Sequence, residues 1–450
     1  GAKLFIMKKL LLLIACCVSG MLSACEPKDK PIEGDEPTLY NKANTYVVYE
    51  CNERLFAQTN AFQAIEDYVP ALRRMQVNVL WLMPIHPRGT VKTVNSPYCV
   101  KDYYAVDPAF GTIDDLRSLV KTCHENGMLV ILDWVANHTA WDNAWYEQHP
   151  EWYTTPVADE VNWKDVVPLN YEQPAVRDAM TEALLYWMRE ADIDGFRCDY
   201  AHGVPADYWA EAIRAIRSVK PNAVMLAETS KVDYYGSGFD WLYSWDYLGA
   251  VQKIYSQSLQ ALYATSEREM SATPEGKQRL RNVTSHDAAS ENAPSRWFVS
   301  AQGELAASCL TFFLEGVPMI YSSQEIGEMG QINFFNYHLL SFPSIKDSAS
   351  ASDNAVFEAY CSLMRAYQLT AEARYGTRTD FSTERVGMFT YSQGEKKALV
   401  VVNVSGVNQE VTLPMLWQRY NCIDALTGDS VLTPKVLPLQ PYEYKVYMTL

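Results

Sequence analysis

The sequence predicts an α/β fold: a (β/α)8 TIM barrel with a short inserted subdomain after its third strand, followed by an antiparallel β domain. Three observations predict it. Eight short β-branched or apolar runs alternate with amphipathic helical stretches, the pattern of parallel strands joined by crossover helices. Carboxylates stand at the ends of several of those runs, where a barrel gathers its chemistry. Past residue 375 the helical period gives way to strand alternation.

In chain order the runs are Tyr46 to Tyr49, Val77 to Met83, Leu129 to Val135, Ile193 to Cys198, Ala223 to Ala227, a weak one near Phe239 to Ser244, Arg281 to Ser285, and Val317 to Ser322. Between the second and third, Thr112 and Asp115 open a helix with a capping box. Leu116, Leu119, Val120 and Cys123 hold one face of it until Gly127 stops it. Pro174 suits a first helical turn, and Val176, Met180, Leu184 and Trp187 continue one stripe; Trp209, Ile213 and Ile216 mark another. A long polar and aromatic connection, about residues 139–172, carries Trp141, Trp145, Trp152 and Trp163; it is either a substrate-facing loop or a small packed subdomain. The barrel is expected over residues 44–375 and a β-sandwich over 376–450, with strands Arg385 to Tyr391, Lys397 to Val404, Glu410 to Leu413 and Tyr442 to Tyr447.

The amino-terminal stretch reads as an address. Lys8 and Lys9 precede the apolar run Leu10 to Cys17, which falls short of the ~20 residues that span a bilayer. It leads into Leu22-Ser23-Ala24-Cys25, similar to the lipobox of bacterial lipoproteins, so residues 1–25 are expected to be a signal peptide with Cys25 the lipid-bearing residue. Residues 26–43, charged and proline-rich, are the tether. The expected location is the bacterial cell envelope, at the outer membrane. The seven remaining cysteines, 51, 99, 123, 198, 309, 361 and 422, are scattered and form no CxxC pair, so neither a disulfide framework nor a structural zinc site is indicated. With 38 basic against 54 acidic residues the net charge is −16, and no basic cluster offers a nucleic acid its footprint.

Asp133, Asp199, Glu228 and Asp287 follow their strands directly. Asp199, Glu228 and Asp287 are separated by about one and two β/α units at ~30 residues each, so they face one mouth. One carboxylate at a strand end is ordinarily a cap or turn residue. A set in register is what glycoside hydrolysis needs, because one carboxyl attacks or orients while its partner protonates the leaving oxygen. Arg197, two residues before Asp199, points to the same side and can hold that aspartate ionised.

Asp133-Trp134-Val135-Ala136-Asn137-His138, Gly195-Phe196-Arg197-Cys198-Asp199, Leu226-Ala227-Glu228 and Ser285-His286-Asp287 resemble, in order and context, the four conserved regions of the α-amylase family, glycoside hydrolase family 13. Ser96-Pro97-Tyr98 before Lys101-Asp102-Tyr103-Tyr104, and Gly316 to Tyr321 leading to Gln324-Glu325, extend the resemblance from about residue 46 to the end of the chain. The resemblance implies a retaining hydrolase of α-1,4-glucosidic bonds in starch-derived glucans or maltooligosaccharides. Asp199 is then the nucleophile, Glu228 the general acid and base, and Asp287 the third carboxylate. Tyr98 stacks on the sugar, His138, His202 and His286 meet substrate, and Arg197 pairs with Asp199; Asp133 is structural.

Departures from the family pattern are visible. Ser285 stands where an asparagine is common before His-Asp, and His202-Gly203 stands where many members have Lys-His, so the leaving-group side of the cleft is expected to differ. Asn137 matches a calcium ligand of α-amylases, but Val167-Pro168-Leu169-Asn170 lacks the aspartate of the second. Calcium takes six to eight oxygens, so no obligatory metal and no cofactor is expected. Two alternatives share the motifs: a transglycosylase of the same family, and a surface glycan-binding protein without catalysis. A phosphate-handling barrel is disfavoured, because Tyr321-Ser322-Ser323-Gln324-Glu325 is no glycine-rich cradle.

Overall fold

The structure is a computed structural model describing residues 45–154 and 163–450. The expected signal, Cys25 and tether lie outside the described residues, as does the middle of the inserted segment. Eight parallel strands close into a barrel: β1 Val48–Cys51, β2 Val79–Leu82, β3 Leu129–Trp134, β4 Gly195–Cys198, β5 Val224–Ala227, β6 Trp241–Leu242, β7 Gln278–Arg281 and β8 Val317–Tyr321. Each pairs with its neighbours in sequence and β8 returns to β1, as right-handed crossovers require. The helices α1 Ala61–Arg74, α2 Ile113–Glu125, α3 Pro174–Glu190, α4 Ala206–Val219, α5 Leu259–Ser271, α6 Ala301–Phe313 and α7 Ala355–Leu369 lie in the layer around it. α2 begins with the capping box of Thr112 and Asp115, and α3 begins at Pro174, whose missing N–H has no partner to lose there.

One strand lies elsewhere than the residue pattern places it. β7 is Gln278–Arg281, while Val283, Thr284 and Ser285 form the following loop and helix cap. β1 also runs two residues beyond Tyr49, which brings Glu50 into the barrel.

In β4, Gly195 has φ +150°, and a Cβ there would lie 1.9 Å from the carbonyl oxygen of Val224. Only glycine lets β4 approach β5 this closely, and this approach sets Arg197 and Asp199 beside Glu228.

After α7 the chain forms a six-stranded antiparallel sheet in the order β9 Thr377–Asp380, β10 Val386–Gln393, β11 Lys396–Asn403, β16 Tyr444–Met448, β13 Asn421–Asp424 and β14 Ser430–Leu432; β12 Gln409–Thr412 pairs with β15 Val436–Leu439 in a separate ribbon. Both sheet faces are covered. Phe389, Val400 and Val402 join the barrel's core, while Met388, Leu399 and Val401 pack with Val411, Leu437 and Leu439 of the ribbon. The period of two thus sorts one strand's side chains into two cores.

Candidate active site

β3, β4 and β5 end level with one another: Asp133 pairs in register with Arg197, and Cys198 with Ala227. The backbone pairing continues past the strands, from Asp199 N–H to Trp134 O and from Glu228 N–H to Cys198 O, both at 2.9 Å. These bonds fix where the two carboxylates emerge. Asp287 arrives differently, in the first turn of the short helix His286–Glu291, where an acidic residue is favoured by the helix dipole. Ser285 caps that helix, its hydroxyl accepting from Ala288 N–H at 3.2 Å. The serine thus supplies the acceptor that holds the helix start.

Arg197 has no exposed side-chain surface and organises the floor. Its Nη1 lies 2.8 Å from Asp199 Oδ1 and 3.0 Å from Asp133 Oδ1, and its Nη2 lies 3.2 Å from Glu228 Oε2. Nε and Nη2 also donate to the Tyr243 hydroxyl, at 3.1 and 2.9 Å. Asp133 is fully buried and takes two further donors on Oδ2, Trp81 Nε1–H at 3.0 Å and Tyr98 O–H at 2.9 Å. It is a support for Arg197 and Tyr98, consistent with a structural role.

One guanidinium cannot satisfy three carboxyls. Burial raises Asp199, Arg197 opposes that rise, and the Asp199–Arg197 contact is the shortest of the three ion pairs. Burial raises Glu228 to about 7, with Arg197 opposing and the charges of Asp199 and Asp287 adding to it. Glu228 is therefore the group that keeps a proton at neutral pH. Its Oε2 also accepts the N–H of Tyr200 at 2.6 Å. Tyr200 aims that N–H from a left-handed conformation, φ 41°, which costs a non-glycine residue about 1–2 kcal/mol.

Above this floor is a cleft lined by Tyr98, His138, Asp199, Glu228, His286 and Asp287, with the aromatic rings of Trp163, Tyr200, Phe334 and Phe335 completing its wall. Six of the eight catalytic and substrate-binding residues read from sequence line this cleft, and the seventh, Arg197, pairs with Asp199 and Glu228 from behind them. The eighth, His202, is not among the lining residues: its ring lies 4.3 Å from that of Tyr200 and 6.3 Å from that of Trp245, on the rim. Of the four insert tryptophans, only Trp163 lines the cleft. Trp145 and Trp152 pack on each other at 5.7 Å, and Trp141 lies under the Lys92 ammonium.

Sequence reasoning missed Glu50, Trp81 and Tyr243. Glu50 stands at a strand end like the other carboxylates and was legible by the same rule once β1 is given its full length. Trp81 and Tyr243 carried no signal, since an aromatic in or beside a strand reads as core.

The two side chains at the place of the family's calcium site are Asn137 and Asn170. Asn137 Nδ2 faces His138 Nδ1 at 3.1 Å, and Asn170 Oδ1 is spent on Glu172 N–H at 3.0 Å in its own turn. No group of three His, Cys, Asp or Glu among the described residues is placed to hold a metal.

The family model for the α-amylase catalytic domain matches residues 57–166 and 160–369. A cyclomaltodextrinase from a Bacillus species is 26% identical over 72% of this chain and 61% of its own length, and one from Thermoanaerobacter pseudethanolicus is 25% identical over 78% and 64%. The chain thus spans under two thirds of these two relatives. Among solved structures, a noncanonic maltogenic α-amylase from Thermotoga neapolitana superposes with a TM-score of 0.78 at 27% identity, covering 90% of this chain and 99% of its own. An α-amylase from Lactobacillus plantarum shares the fold at a TM-score of 0.79 and 22% identity, over 92% of this chain and 100% of its own. With its barrel and the greater part of its length matched by the family model, the chain belongs to the α-amylase catalytic-domain family.

Proposed function

We propose that the chain is a retaining glycoside hydrolase of α-1,4-glucosidic bonds in starch-derived glucans, maltooligosaccharides and, by the names of its relatives, cyclic maltodextrins. The observation that carries this reading is a pair of strand-end carboxyls on one fully buried guanidinium, Asp199 at 2.8 Å and Glu228 at 3.2 Å from Arg197, with burial pushing Glu228 up to about 7. Asp199 attacks the anomeric carbon while Glu228 passes its proton to the leaving oxygen, giving a glycosyl-aspartate. Glu228, now a base, takes a proton from water, which attacks the same carbon, breaks the ester and restores both carboxyls. An inverting enzyme instead holds a water between carboxyls about 6.5–9.5 Å apart; here Asp199 and Glu228 share one guanidinium, at 2.8 Å from Arg197 Nη1 and 3.2 Å from Arg197 Nη2, which supports the retaining reading. Asp287 adds negative charge facing the oxocarbenium-like transition state.

The test is incubation of residues 26–450 with maltoheptaose and with a cyclic maltodextrin, following products and anomeric form by NMR. Short products born as the α anomer, and their loss by about 10^4-fold or more in Asp199→Asn, are expected. Initial β-anomeric products would refute retention, products longer than the substrate would identify a transglycosylase, and binding without turnover would identify a glycan-binding protein.

We also infer export and attachment to the bacterial envelope through lipid on Cys25, supported by Lys8-Lys9, the apolar run and Leu22-Ser23-Ala24-Cys25. Incorporation of a fatty-acid analogue by the full chain, abolished in Cys25→Ser, is expected. A wild-type chain that takes up no label would refute it.

A further inference from the structure

Glu50 is completely buried at the barrel's carboxyl end, and none of the steps above uses it. Its Oε1 bonds His286 Nδ1, and its Oε2 lies 3.4 Å from the backbone N–H of the same residue. On the far side of the ring, His286 Nε2 lies 3.0 Å from the Tyr98 hydroxyl and 3.4 Å from Asp287 Oδ1. Tyr98 has one proton, which goes to Asp133 Oδ2, so its oxygen accepts from the ring. Glu50, as a carboxylate, also only accepts. Both ring nitrogens therefore face acceptors, and the arrangement is fully hydrogen-bonded only if both carry hydrogen.

We infer that Glu50 is a positioning residue that holds His286 as an imidazolium, giving the cleft a second fixed cation directed at Asp287 and at a substrate hydroxyl beside it. The catalytic part of this inference rests on the proposed hydrolase; the charge state does not. Every element around the ring contributes. Glu50 comes from β1, Tyr98 from the segment after β2, and Asp287 from the helix His286 begins; Asp133 and Arg197 lie behind Tyr98 on β3 and β4, and the Phe334 ring closes one edge at 4.9 Å. Burial works against the charged ring and Arg197 repels it, but Asp287 and Glu50 outweigh both and raise its pKa to about 9.

The charge has a use. Among the described residues, Arg197 is the one other cation in ion-pair contact with the carboxyl group of Asp133, Asp199, Glu228, Asp287 or Glu50. An imidazolium 3.4 Å from Asp287 sets a second positive charge on the side of the cleft that Arg197 does not reach by an ion pair.

The experiment compares wild type with Glu50→Gln, which keeps an acceptor for Nδ1–H and removes the charge. Imidazole 15N NMR, with His286 assigned by its absence in His286→Asn, is expected to show His286 cationic through pH 8 in wild type and its pKa lower by roughly one to three units in Glu50→Gln. The kcat/KM on maltoheptaose is expected to stay within a few fold of wild type at pH 5 and to fall more steeply above pH 6, as a second group titrates. A purely structural Glu50 would lower kcat/KM by one factor at every pH and leave the pKa in place, which would overturn the inference. If the chain cleaves no α-glucan, the hydrolase reading fails while the NMR titration still decides the charge. If Glu50→Gln does not fold, a neutral wild-type His286 at pH 7.5 would overturn the inference and a cationic one would support it.

Discussion

Two arginines of this barrel have no exposed side-chain surface, and they do different things. Arg281, at the end of β7, reaches into the helix layer. Its Nη1 lies 2.6 Å from Glu269 Oε2, its Nε donates to Glu315 O at 2.8 Å, and its guanidinium sits 4.0 Å from the centre of the Tyr247 ring. One cation meets one carboxylate, and neutral groups complete the shell. Arg197, in the lumen, faces three carboxyl groups. The matched pair is architecture, because neither partner gains by changing its charge. The unmatched cluster must keep a proton on one of its acids, and that acid is the one a glycosidase needs as a donor.

If that contrast is right, the largest effects fall in the lumen. Glu228→Gln removes the proton and should lower kcat on maltoheptaose by about 10^2–10^4-fold. Because Glu228 is raised to about 7, wild-type activity should be full below that pH and fall as pH rises through it. In Glu228→Gln, with substrates whose leaving group needs no proton, that fall should disappear. An unchanged alkaline limb in the variant would assign the proton to another group and break the comparison.

The opposite result is expected at Arg281. Arg281→Met leaves Glu269 buried and unpaired, which costs about 3–5 kcal/mol, read as a lower midpoint in urea unfolding, while kcat/KM at 25 °C stays within about twofold. The double variant Arg281→Met/Glu269→Leu should recover most of the loss, since an apolar replacement of a buried pair is often neutral. A parallel fall in kcat/KM would mean that the helix-layer pair also shapes the site.

The same contrast explains what was legible in the sequence. Strands with apolar or β-branched runs declared themselves, and so did carboxylates that directly follow such runs. β7 was read three residues late, as Arg281 to Ser285, because Gln278 and Arg279 look like loop, whereas Val283 and Thr284 look like strand and are not. Arg281 can sit in a barrel strand only because Glu269 waits behind it, and a partner in another helix is invisible to a local pattern. Tyr243 was hidden for a similar reason: that its hydroxyl accepts two bonds from Arg197 depends on how β4 and β6 converge around β5. In the carboxyl-terminal sheet, the two edge strands β9 and β14 were missed as short strands with largely uncovered residues, and β13 beside β14 was missed with them.

The smallest expected effect separates lumen from rim. Trp163 lines the cleft and is 42% exposed, with its ring 5.3 Å from that of His138 and 5.1 Å from that of Tyr200. A ring held edge-on by two neighbours and open on its remaining face is placed to stack on a sugar beyond the bond that breaks. Such contacts act equally on ground and transition states, so Trp163→Ala should raise KM with little change in kcat. Aromatic pairing of about 0.5–1.5 kcal/mol corresponds to a two- to tenfold rise. His202 packs on Tyr200 and does not line the cleft, so His202→Ala should change KM by less than twofold. The pair of variants is informative because Tyr200 lies next to both. If His202→Ala instead lowers kcat, His202 acts by keeping Tyr200 in its left-handed conformation, from which the N–H reaches Glu228. The alkaline limb set by Glu228 would then move upward as that bond to its carboxylate is lost, a shift that damage to the rim alone would not produce.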